Sequence, residues 1–395
     1  MNTSILFRNC ILVVLLVMSS ATGIFSQNMF DTPVNYVVGE WPASIFSIDL
    51  NDDGYNDLAT ANANSNYVSI LLGNGDGTFQ SAVNYTAGNG SSSVFSIDFD
   101  GDGYNDLATA NFGSDNVSIL LGNGDGTFQS AVIYAVGLYP SSVFSIDFNG
   151  DGNSDLATAN YYSDNVSILL GNGDGTFQPV VYYPAGDLPR SVFSIDFNGD
   201  GNNDLATANV GSDNVSILLG NGDGTFQSAV NYAAGDGSSS VFSIDFDGDG
   251  YNDLATANLN SDDVSILLGN GDGTFQSVVN YIAGDGPHSV FSIDFNGDGD
   301  NDLATANAVS DNVSILLNLS CCNGDGLRGN VDYILPDEVN IADLTYLVAY
   351  LFTGGPPPPC MEESDVDGNG EINIADLTYL VSYLFTVGIP PVACP

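Results

Sequence analysis

The chain contains almost no basic residues. None of its 395 residues is lysine, and its only arginines are Arg8, Arg190 and Arg328. The chain has one histidine, His288, and 49 acidic residues, so with three arginines its formal net charge is −46. A field of this sign repels nucleic acid and anionic lipid and attracts cations. We therefore expect no nucleic-acid partner.

Glutamate is also scarce, because it occurs only at positions 40, 338, 362, 363 and 371. Nearly every acid is therefore aspartate, the short carboxylate that suits loops and metal sites better than helices. Only 13% of residues are charged, 44% are hydrophobic, and 46 are glycine. This composition predicts a core-forming chain that is rich in β-strands and loops.

The N-terminus, "MNTSILFRNCILVVLLVMSSATGIFSQ", has the pattern of a secretory signal peptide. Arg8 supplies the basic region, residues 11–18 form the apolar run, and small residues follow at 19–23. The apolar run is too short for a membrane anchor, which needs about 20 residues. We predict a signal peptide at 1–26, with cleavage between Gly23 and Gln27. No later stretch is long enough to span a bilayer, so we expect a secreted or cell-surface protein without membrane insertion of the mature chain.

Four cysteines follow the signal peptide, and all lie near the C-terminus: Cys321, Cys322, Cys360 and Cys394. An even number of cysteines in a small exported module favours two disulfides. A bridge between the adjacent Cys321 and Cys322 is sterically poor, so we expect each of them to pair with one of Cys360 and Cys394, and which pairs with which stays open. A zinc site is the alternative, although His288 is far away in the sequence.

An internal repeat of 49 residues determines the architecture. The aspartate that opens each acidic loop falls at 49, 98, 147, 196, 245 and 294. Each unit carries four short apolar runs, for example "VFSIDF", "DLATA" and "VSILL", and in the first unit "TFQSAVNY" at 78–85. Their alternation and the Gly, Asn and Asp clusters between them predict four antiparallel strands per unit, which is one propeller blade.

The two ends of the repeat region complement each other. Residues 29–36, "MFDTPVNY", match a fourth strand but precede any first strand, and the last unit lacks its fourth strand. An N-terminal strand that completes the last blade would close a ring and remove two sheet edges. We predict an all-β, six-bladed β-propeller of four-stranded antiparallel blades over 28–319. An open solenoid of six units is the alternative.

Each unit contains an acidic loop of the form D-x-[D/N]-x-D-G-x-x-D. Side-chain oxygens at positions 1, 3, 5 and 9, with a backbone carbonyl at position 7, suit Ca²⁺, and glycine at position 6 permits the turn. Asx-rich turns without metal are the alternative. The predicted ligands are Asp49, Asn51, Asp53, Tyr55, Asp57, Asp98, Asp100, Asp102, Tyr104, Asp106, Asp147, Asn149, Asp151, Asn153, Asp155, Asp196, Asn198, Asp200, Asn202, Asp204, Asp245, Asp247, Asp249, Tyr251, Asp253, Asp294, Asn296, Asp298, Asp300 and Asp302.

The phrases "DFDGDGYNDLATAN" and "LLGNGDGTF" resemble the FG-GAP or VCBS repeat family, the calcium-loop propellers that include the integrin α-chain head. The resemblance covers about 28–319 and implies one Ca²⁺ in each blade. The unit here is shorter than the usual integrin-type blade, and no literal Phe-Gly…Gly-Ala-Pro wording is present. The second loop, "GNGDG" at 73–77 and its copies, lacks the lysine and helix of a phosphate-binding loop, so it predicts a hairpin turn.

The sequence differences between units fall in the loops at one end of the blades. These loops are those that join strand 4 to the next strand 1 and strand 2 to strand 3. Aromatic and basic residues there are candidate ligand-binding residues, with drift after duplication as the alternative. They are Trp41, Tyr139, Tyr161, Tyr162, Arg190 and His288. They predict a face that binds a glycan or an extracellular protein.

Catalysis has little support in the sequence. The paired carboxylates are explained as metal ligands, and no nucleophile recurs beside a base. A glycosidase needs one carboxyl with a raised pKa in an apolar cleft, and no such residue stands out. We therefore expect a binding or adhesion module that is not an enzyme.

The C-terminal region, 320–395, has a different pattern. The stretch "DVDGNGEINIADLTYLVSYLF" at 365–385 has the ligand spacing of an EF-hand-type loop followed by an amphipathic helix that Asn373 caps. Its candidate ligands are Asp365, Asp367, Asn369, the carbonyl of Glu371, Asn373 and Asp376. An earlier copy at 330–352 repeats the helix, but its loop is two residues longer, so calcium binding there stays open.

Two tandem loop-helix copies resemble a type I dockerin over about 323–386. The resemblance implies calcium binding and docking onto a cohesin-like domain. The family's recognition positions correspond to Ile374 and Ala375, and to Ile341 and Ala342 in the first copy. A cap or spacer is the other interpretation. The alternative function for the whole chain is a non-catalytic or weakly catalytic component of a secreted polysaccharide-degrading complex.

Overall fold

The computed structural model describes residues 34–296, 300–318, 339, 341–355, 364–369 and 372–385. Contacts divide the chain into two compact units, 1–37 and 38–395. Of the first unit, only residues 34–37 are described, and they have no regular secondary structure. The predicted signal peptide and all four C-terminal cysteines lie outside the described residues, so their predictions stay untested.

Among its described residues, the second unit contains 23 strands in six consecutive sheets, one for each repeat. Five sheets have four strands and the sixth has three. In blade order the strands are β1 Pro42–Ile48, β2 Asp57–Asn62, β3 Tyr67–Leu71 and β4 Val83–Thr86; β5 Ser91–Ile97, β6 Asp106–Asn111, β7 Asn116–Leu120 and β8 Val132–Ala135; β9 Pro140–Ile146, β10 Asp155–Asn160, β11 Asn165–Leu169 and β12 Val181–Pro184; β13 Pro189–Ile195, β14 Asp204–Asn209, β15 Asn214–Leu218 and β16 Val230–Ala233; β17 Ser238–Ile244, β18 Asp253–Asn258, β19 Asp263–Leu267 and β20 Val279–Ile282; β21 Pro287–Ile293, β22 Asp302–Asn307 and β23 Asn312–Leu316. All neighbouring strands are antiparallel and follow chain order, which confirms the predicted meander.

The fourth strand is shorter than predicted. The sequence predicts a strand over 78–85, but β4 begins at Val83, and Phe79 lies outside it in an isolated bridge with Gly73. In the next blade the equivalent Phe128 is buried in the core between blades 1 and 2, where its ring lies 5.2 Å from Tyr85. The chain therefore leaves the sheet to bury this phenylalanine, which alternation alone did not reveal.

The blades pack face to face through unequal surfaces. Along β6, Ala108 and Ala110 pack with residues of the following blade, whereas Leu107 packs with residues of the preceding blade. The small alanines give room for the large leucine, valine and phenylalanine side chains opposite, so the interface is close-packed. The same pairing recurs at each junction from blade 1 to blade 6.

Blade 6 has an open face among the described residues. Val313 and Ile315 are 63% and 50% exposed, whereas Val117 and Ile119 at the same positions of blade 2 are 0% and 1% exposed. The segment predicted to complete this blade, 29–36, lies mostly outside the described residues, and residues 34–36 are not in a strand. The structure therefore does not confirm a closed six-bladed ring, and the blade count stays a prediction.

Serine hydroxyls in the first strands connect neighbouring blades. Ser93 Oγ accepts the N–H of Val143, and equivalent bonds of 3.3–3.4 Å join blades 1 to 2, 3 to 4, 4 to 5 and 5 to 6. Beside them, the phenylalanine rings of consecutive first strands contact one another at centroid distances of 5.0–5.4 Å. These contacts set the spacing of the blades around their inner strands.

The described part of the C-terminal region includes two helices of nearly identical sequence. Helix α1 spans Ile341–Val348 and continues as a π-helical turn, Ala349–Thr353, that ends at left-handed Gly354. Helix α2 spans Ile374–Phe385, and Asn373 Oδ1 accepts the N–H of Ala375 at 2.8 Å, which confirms the predicted cap. Leu347, Val366 and Leu380 form a small core. Within the described residues, no helix has the length and apolar character needed to cross a bilayer.

Candidate metal loops and a cavity on the opposite face

The acidic loop of each repeat joins the first strand of a blade to the second. In blade 2, Asp98 Oδ1 accepts the N–H groups of Asp100 and Gly101 at 3.2 and 2.7 Å, and its Oδ2 accepts that of Gly103 at 2.9 Å. Gly103 has φ +90°, a conformation that favours glycine. The opening aspartate thus fixes the path of the loop, and blades 3 and 4 repeat the same bonds.

The last aspartate of each loop is buried and joins two strand ends. Asp106 Oδ2 accepts the N–H of Phe99 at 2.8 Å, and Oδ1 accepts the N–H of Gly122 at 2.6 Å. Burial is the main influence on the pKa of this carboxyl, and the rise that it causes outweighs the lowering caused by the two backbone N–H groups. It raises the pKa to about 6 in four loops, at Asp106, Asp155, Asp204 and Asp253.

Among the loops that the structure describes, three carboxylates converge in two. Oxygens of Asp98, Asp100 and Asp106 lie within 4.8 Å of one another, and so do those of Asp245, Asp247 and Asp253. A cluster of hard, negatively charged oxygens on a glycine-containing loop fits Ca²⁺. A cation there would also offset both the mutual repulsion and the cost of burying the last aspartate.

The other loops have asparagine at position 3. In blade 3, Asn149 Nδ2 donates to Asp151 Oδ2 at 3.0 Å, and Asn149 Oδ1 accepts the N–H of Asp151 at 2.9 Å. The N–H of Asn153 holds the pKa of the Asp151 carboxyl below its ordinary value. Among the described repeat loops, carboxylate oxygens within 4.8 Å of one another therefore occur in blades 2 and 5, and Asp298 of blade 6 lies outside the described residues.

The "GNGDG" loops are hairpin turns, as predicted. Asn74 N–H donates to Thr78 O at 2.9 Å, and Asp76 Oδ1 accepts both the N–H and the hydroxyl of Thr78 at 3.0 and 2.6 Å. The Thr78 hydroxyl and N–H lower the pKa of Asp76. This aspartate therefore closes its own turn. Gly75 has φ +78°, a conformation that favours glycine, and a Cβ there would also come within 2.4 Å of the Tyr55 ring.

Neighbouring acidic loops are hydrogen-bonded to each other, which the sequence did not predict. Asn105 Nδ2 donates to the carbonyl of Asp49 in the preceding blade at 2.7 Å. The N–H of Gly126, in the second loop of blade 2, donates to Leu50 O of blade 1 at 3.2 Å. We call this end of the blades the acidic-loop face. Its loops form one connected network rather than six separate sites.

The C-terminal loop brings together three of its predicted ligands. Oxygens of Asp365, Asp367 and Asp376 lie within 4.8 Å of one another. Asp376 accepts the N–H groups of Asn373 and Asp367 at 2.8 and 3.2 Å, and burial raises its pKa. Glu371 and nearly all of the first-copy loop lie outside the described residues. The second copy alone therefore supplies a described candidate calcium loop in this region.

The opposite end of the blades, which we call the variable face, surrounds a cavity of about 720 Å³. The strand 4–1 and strand 2–3 loops do meet there, because Leu138 N–H donates to Ser163 Oγ at 2.6 Å. Side chains from all six blades line the cavity, namely Trp41, Pro42, Ala43, Ser92, Ser93, Phe112, Ser141, Ser142, Tyr161, Arg190, Ser191, Ser239, Ser240, His288 and Ser289. Four of the predicted ligand-face residues are therefore brought together around one opening.

An aromatic cluster adjoins the cavity. Tyr139 lies 4.8 Å from Phe112 and 4.7 Å from Tyr162, and Tyr161 lies 5.2 Å from Tyr162, all edge-to-face. Tyr162 and Trp41 are 57% and 71% exposed. Sequence reasoning missed Phe112, although it occupies a strand 2–3 loop like the two tyrosines at 161 and 162.

Two basic side chains meet in this cavity. The Arg190 guanidinium contacts Nε2 of the His288 imidazole, although the two residues belong to blades 4 and 6. Burial, and secondly the charge of Arg190, lowers the pKa of His288. Burial also lowers the pKa of Arg190. The arrangement favours a neutral imidazole beside a charged guanidinium.

A family model described as an FG-GAP-like repeat matches residues 49–109, 98–158, 147–207, 196–256 and 245–305. None of the curated protein sequences compared with the chain gives a significant match.

Solved structures with a similar fold include a putative 6-phosphogluconolactonase from Bacteroides fragilis, with 16% identity, 69% of this chain and 79% of that chain covered, and a TM-score of 0.53. A BBS1N structure in complex with ARL6DN has 15% identity, coverage of 74% and 83%, and a TM-score of 0.52. An Agrocybe aegerita lectin that recognises non-reducing terminal N-acetylglucosamine has 23% identity, coverage of 69% and 80%, and a TM-score of 0.47. Because the matched repeats span more than half of the chain, the protein belongs to the FG-GAP-like repeat family, and its repeats are blades of a β-propeller.

Proposed function

We propose that the mature chain is an exported, calcium-binding β-propeller whose variable face binds a glycan, with an extracellular protein as the other candidate ligand. The observation that carries the proposal is the aromatic cluster of Phe112, Tyr139, Tyr161 and Tyr162 beside a cavity. Aromatic rings present apolar area together with a polar hydroxyl, which suits the mixed surface of a sugar. The rigid blades hold these rings in place before any ligand arrives.

Calcium is the second part of the proposal. Each loop offers side-chain oxygens at positions 1, 3, 5 and 9, and in blade 2 these belong to Asp98, Asp100, Asp102 and Asp106. Carboxylate and carbonyl oxygens are the ligands that Ca²⁺ prefers. The ion would offset part of the negative charge of each loop and thereby help to hold the first two strands of the blade together.

We also propose that the protein is not an enzyme. The carboxyl groups with raised pKa, such as Asp106, are the kind of group that general acid catalysis uses. Both oxygens of Asp106, however, already accept buried backbone N–H groups. These bonds favour a structural and metal-binding role over proton transfer to a substrate.

A second candidate function is attachment to a larger secreted complex through the C-terminal region. Ile341 and Ile374 begin the two helices and are 60% and 62% exposed, and Phe352 and Phe385 near the helix ends are 58% and 61% exposed. Equivalent apolar residues are thus exposed in both copies. A cohesin-like domain is the partner that the resemblance to dockerins implies.

The test is a glycan array with the mature full-length chain in millimolar calcium, together with a hydrolase assay on polysaccharides. We expect glycan binding without hydrolysis. Replacing Trp41, Tyr161 and Tyr162 together by alanine should abolish binding. The control is Tyr182→Ala, because Tyr182 is a 47%-exposed tyrosine on an outer strand. Binding that survives the triple replacement would overturn the glycan site, and turnover of a polysaccharide would favour the rival, enzymatic assignment.

A further inference from the structure

One repeat position carries both basic residues of the cavity. In blade order, the residues at this position are Ala43, Ser92, Ser141, Arg190, Ser239 and His288. Three blades thus have serine where blades 4 and 6 have a cationic or titratable side chain. The difference sits in the lining of the central cavity rather than on the outer surface.

The backbones of both basic residues are held by the preceding blades. Ser141 Oγ donates to Arg190 O at 2.8 Å, and Ser239 Oγ donates to His288 O at 3.1 Å. The equivalent Ser92 donates to Pro140 O at 3.0 Å. Serine hydroxyls of blades 2, 3 and 5 thus hold the first strands of blades 3, 4 and 6, whereas Ala43 and Arg190 have no hydroxyl to offer the blade that follows them.

Arg190 has no acidic partner among the described residues. The guanidinium contacts Nε2 of the His288 imidazole. Acids of the same face are engaged elsewhere, since Asp115 Oδ1 accepts the N–H of Tyr139 and Asp164 Oδ1 accepts that of Leu188. In a chain with 49 acids, an arginine without a carboxylate partner at the mouth of a cavity is available to a ligand.

The net charge limits how much negative charge the ligand carries. A chain with a formal charge of −46 repels polyanions over the range of a Debye length. A guanidinium nevertheless binds one carboxylate strongly at short range, because its planar fork matches the two oxygens. The preferred ligand is therefore one with a single isolated carboxylate.

We propose that Arg190 and His288 bind the carboxylate of one uronic acid residue at the end of an otherwise neutral glycan. The inference deepens the proposed glycan-binding function and rests on it. Trp41 and Tyr161, which line the same cavity, are the rings available to contact the apolar faces of the sugar. A cavity of about 720 Å³ lies within the usual range for a small ligand.

The experiment is calorimetric titration of the mature full-length chain in calcium with methyl glucuronide, methyl glucoside, methyl glucose 6-sulfate and polygalacturonate. We expect methyl glucuronide to bind at least tenfold more tightly than methyl glucoside. Polygalacturonate should bind no more tightly, per sugar residue, than methyl glucuronide. Equal affinities for glucuronide and glucoside would overturn the proposal. Tighter binding of the sulfate or of the polymer would also overturn it.

Matched variants separate this inference from the proposed function. Arg190→Ser and His288→Ser install the residue that three other blades carry, so both should fold, and Arg190→Ser should remove the preference for glucuronide. Arg190→Lys should lose most of the preference for glucuronide. The control is Gln227→Glu, at an exposed position on the acidic-loop side. It lowers the net charge of the chain by one, as Arg190→Ser does, and should leave the preference for glucuronide unchanged. Glycan binding that Arg190→Ser leaves unaltered would overturn this inference alone, whereas absence of binding to every sugar would overturn both proposals.

Discussion

The two faces of the propeller have diverged to very different extents. On the acidic-loop face, the side-chain oxygens of the loops accept backbone N–H groups in the same pattern from blade to blade. On the variable face, equivalent positions carry residues as different as Ala43, Ser141 and Arg190. Side chains that satisfy buried backbone groups are constrained, because losing one leaves an unpaired donor.

Some positions of the variable face are also constrained by structure. Asp115, Asp164 and Asp213 recur there, and each accepts a backbone N–H from the next strand 4–1 loop at 2.8–2.9 Å. Only the residues between these anchors differ. The comparison therefore teaches that this fold separates its roles by position: one set of side chains builds the scaffold, and the other is available for binding.

Removing calcium should have the largest effect, because it acts on the whole acidic-loop face at once. With a Kd of about 10⁻⁴ M, typical of extracellular modules, millimolar calcium contributes roughly 1.4 kcal/mol per site, or about 8 kcal/mol for six sites. We expect EDTA to lower the melting temperature steeply in calorimetry. Magnesium in place of calcium serves as the control. An unchanged melting temperature would contradict the calcium assignment on this face.

Replacing one buried aspartate should have the next largest effect. In Asp155→Asn, the amide NH₂ would face a backbone N–H, because Asp155 accepts from both Phe148 and Gly171. We expect a loss of about 2 to 3 kcal/mol in urea unfolding. Asp174→Asn is the control, since exposed Asp174 bonds only within its own turn to Thr176. Equal losses for the two variants would refute the distinction between buried and turn aspartates.

Much of this arrangement was predictable from local sequence patterns. The 49-residue period, the short apolar runs such as "DLATA" and the spacing of the acidic loops each depend on neighbouring residues, and all three correspond to described structure. The hairpin nature of "GNGDG" followed equally from its glycines, two of which adopt positive φ in each copy.

Contacts between blades were not predictable in this way. The bond from Ser93 to Val143 spans 50 residues, and the bond from Asn105 to Asp49 spans 56. The meeting of Arg190 with His288 depends on two blades that are not sequence neighbours. Such contacts follow from how the blades pack, and a strand pattern carries no information about that packing. For the same reason the fourth strand was predicted too long.

The acidic loops themselves should fall into two classes, which refines the comparison. Blades 2 and 5 have Asp100 and Asp247 at position 3, and the other four blades have asparagine. Because the charge count of the ligands tunes calcium affinity, we expect the two aspartate loops to bind first in a calcium titration. Asp100→Asn should weaken one tight site by about tenfold, or about 1.4 kcal/mol.

The reciprocal change gives the control for that titration. Asn149→Asp should convert the loop of blade 3 to the tighter class without altering the number of bound ions. Six identical affinities in the unmodified protein would show that position 3 has no influence on binding.

The smallest stability effect is expected on the variable face. Tyr162→Ala removes a 57%-exposed ring and should change the free energy of unfolding by about 1 kcal/mol or less. Glycan affinity should nevertheless fall at least tenfold, because the ring belongs to the aromatic cluster. Urea unfolding and glycan titration of the same sample measure both quantities. A large loss of stability would place Tyr162 among the scaffold residues instead.

The serine bonds between first strands also bear on how the protein acquires its native connectivity. Each hydroxyl reaches the repeat that follows it, and the strands that it joins are nearly the same in every blade. A nascent strand therefore meets several almost equivalent partners, and a wrong match would satisfy most of the same bonds. Short connections between consecutive blades disfavour such errors, because closing a longer loop costs more entropy. Synthesis from the N-terminus adds a further safeguard, since each blade emerges when only earlier blades are available to receive it.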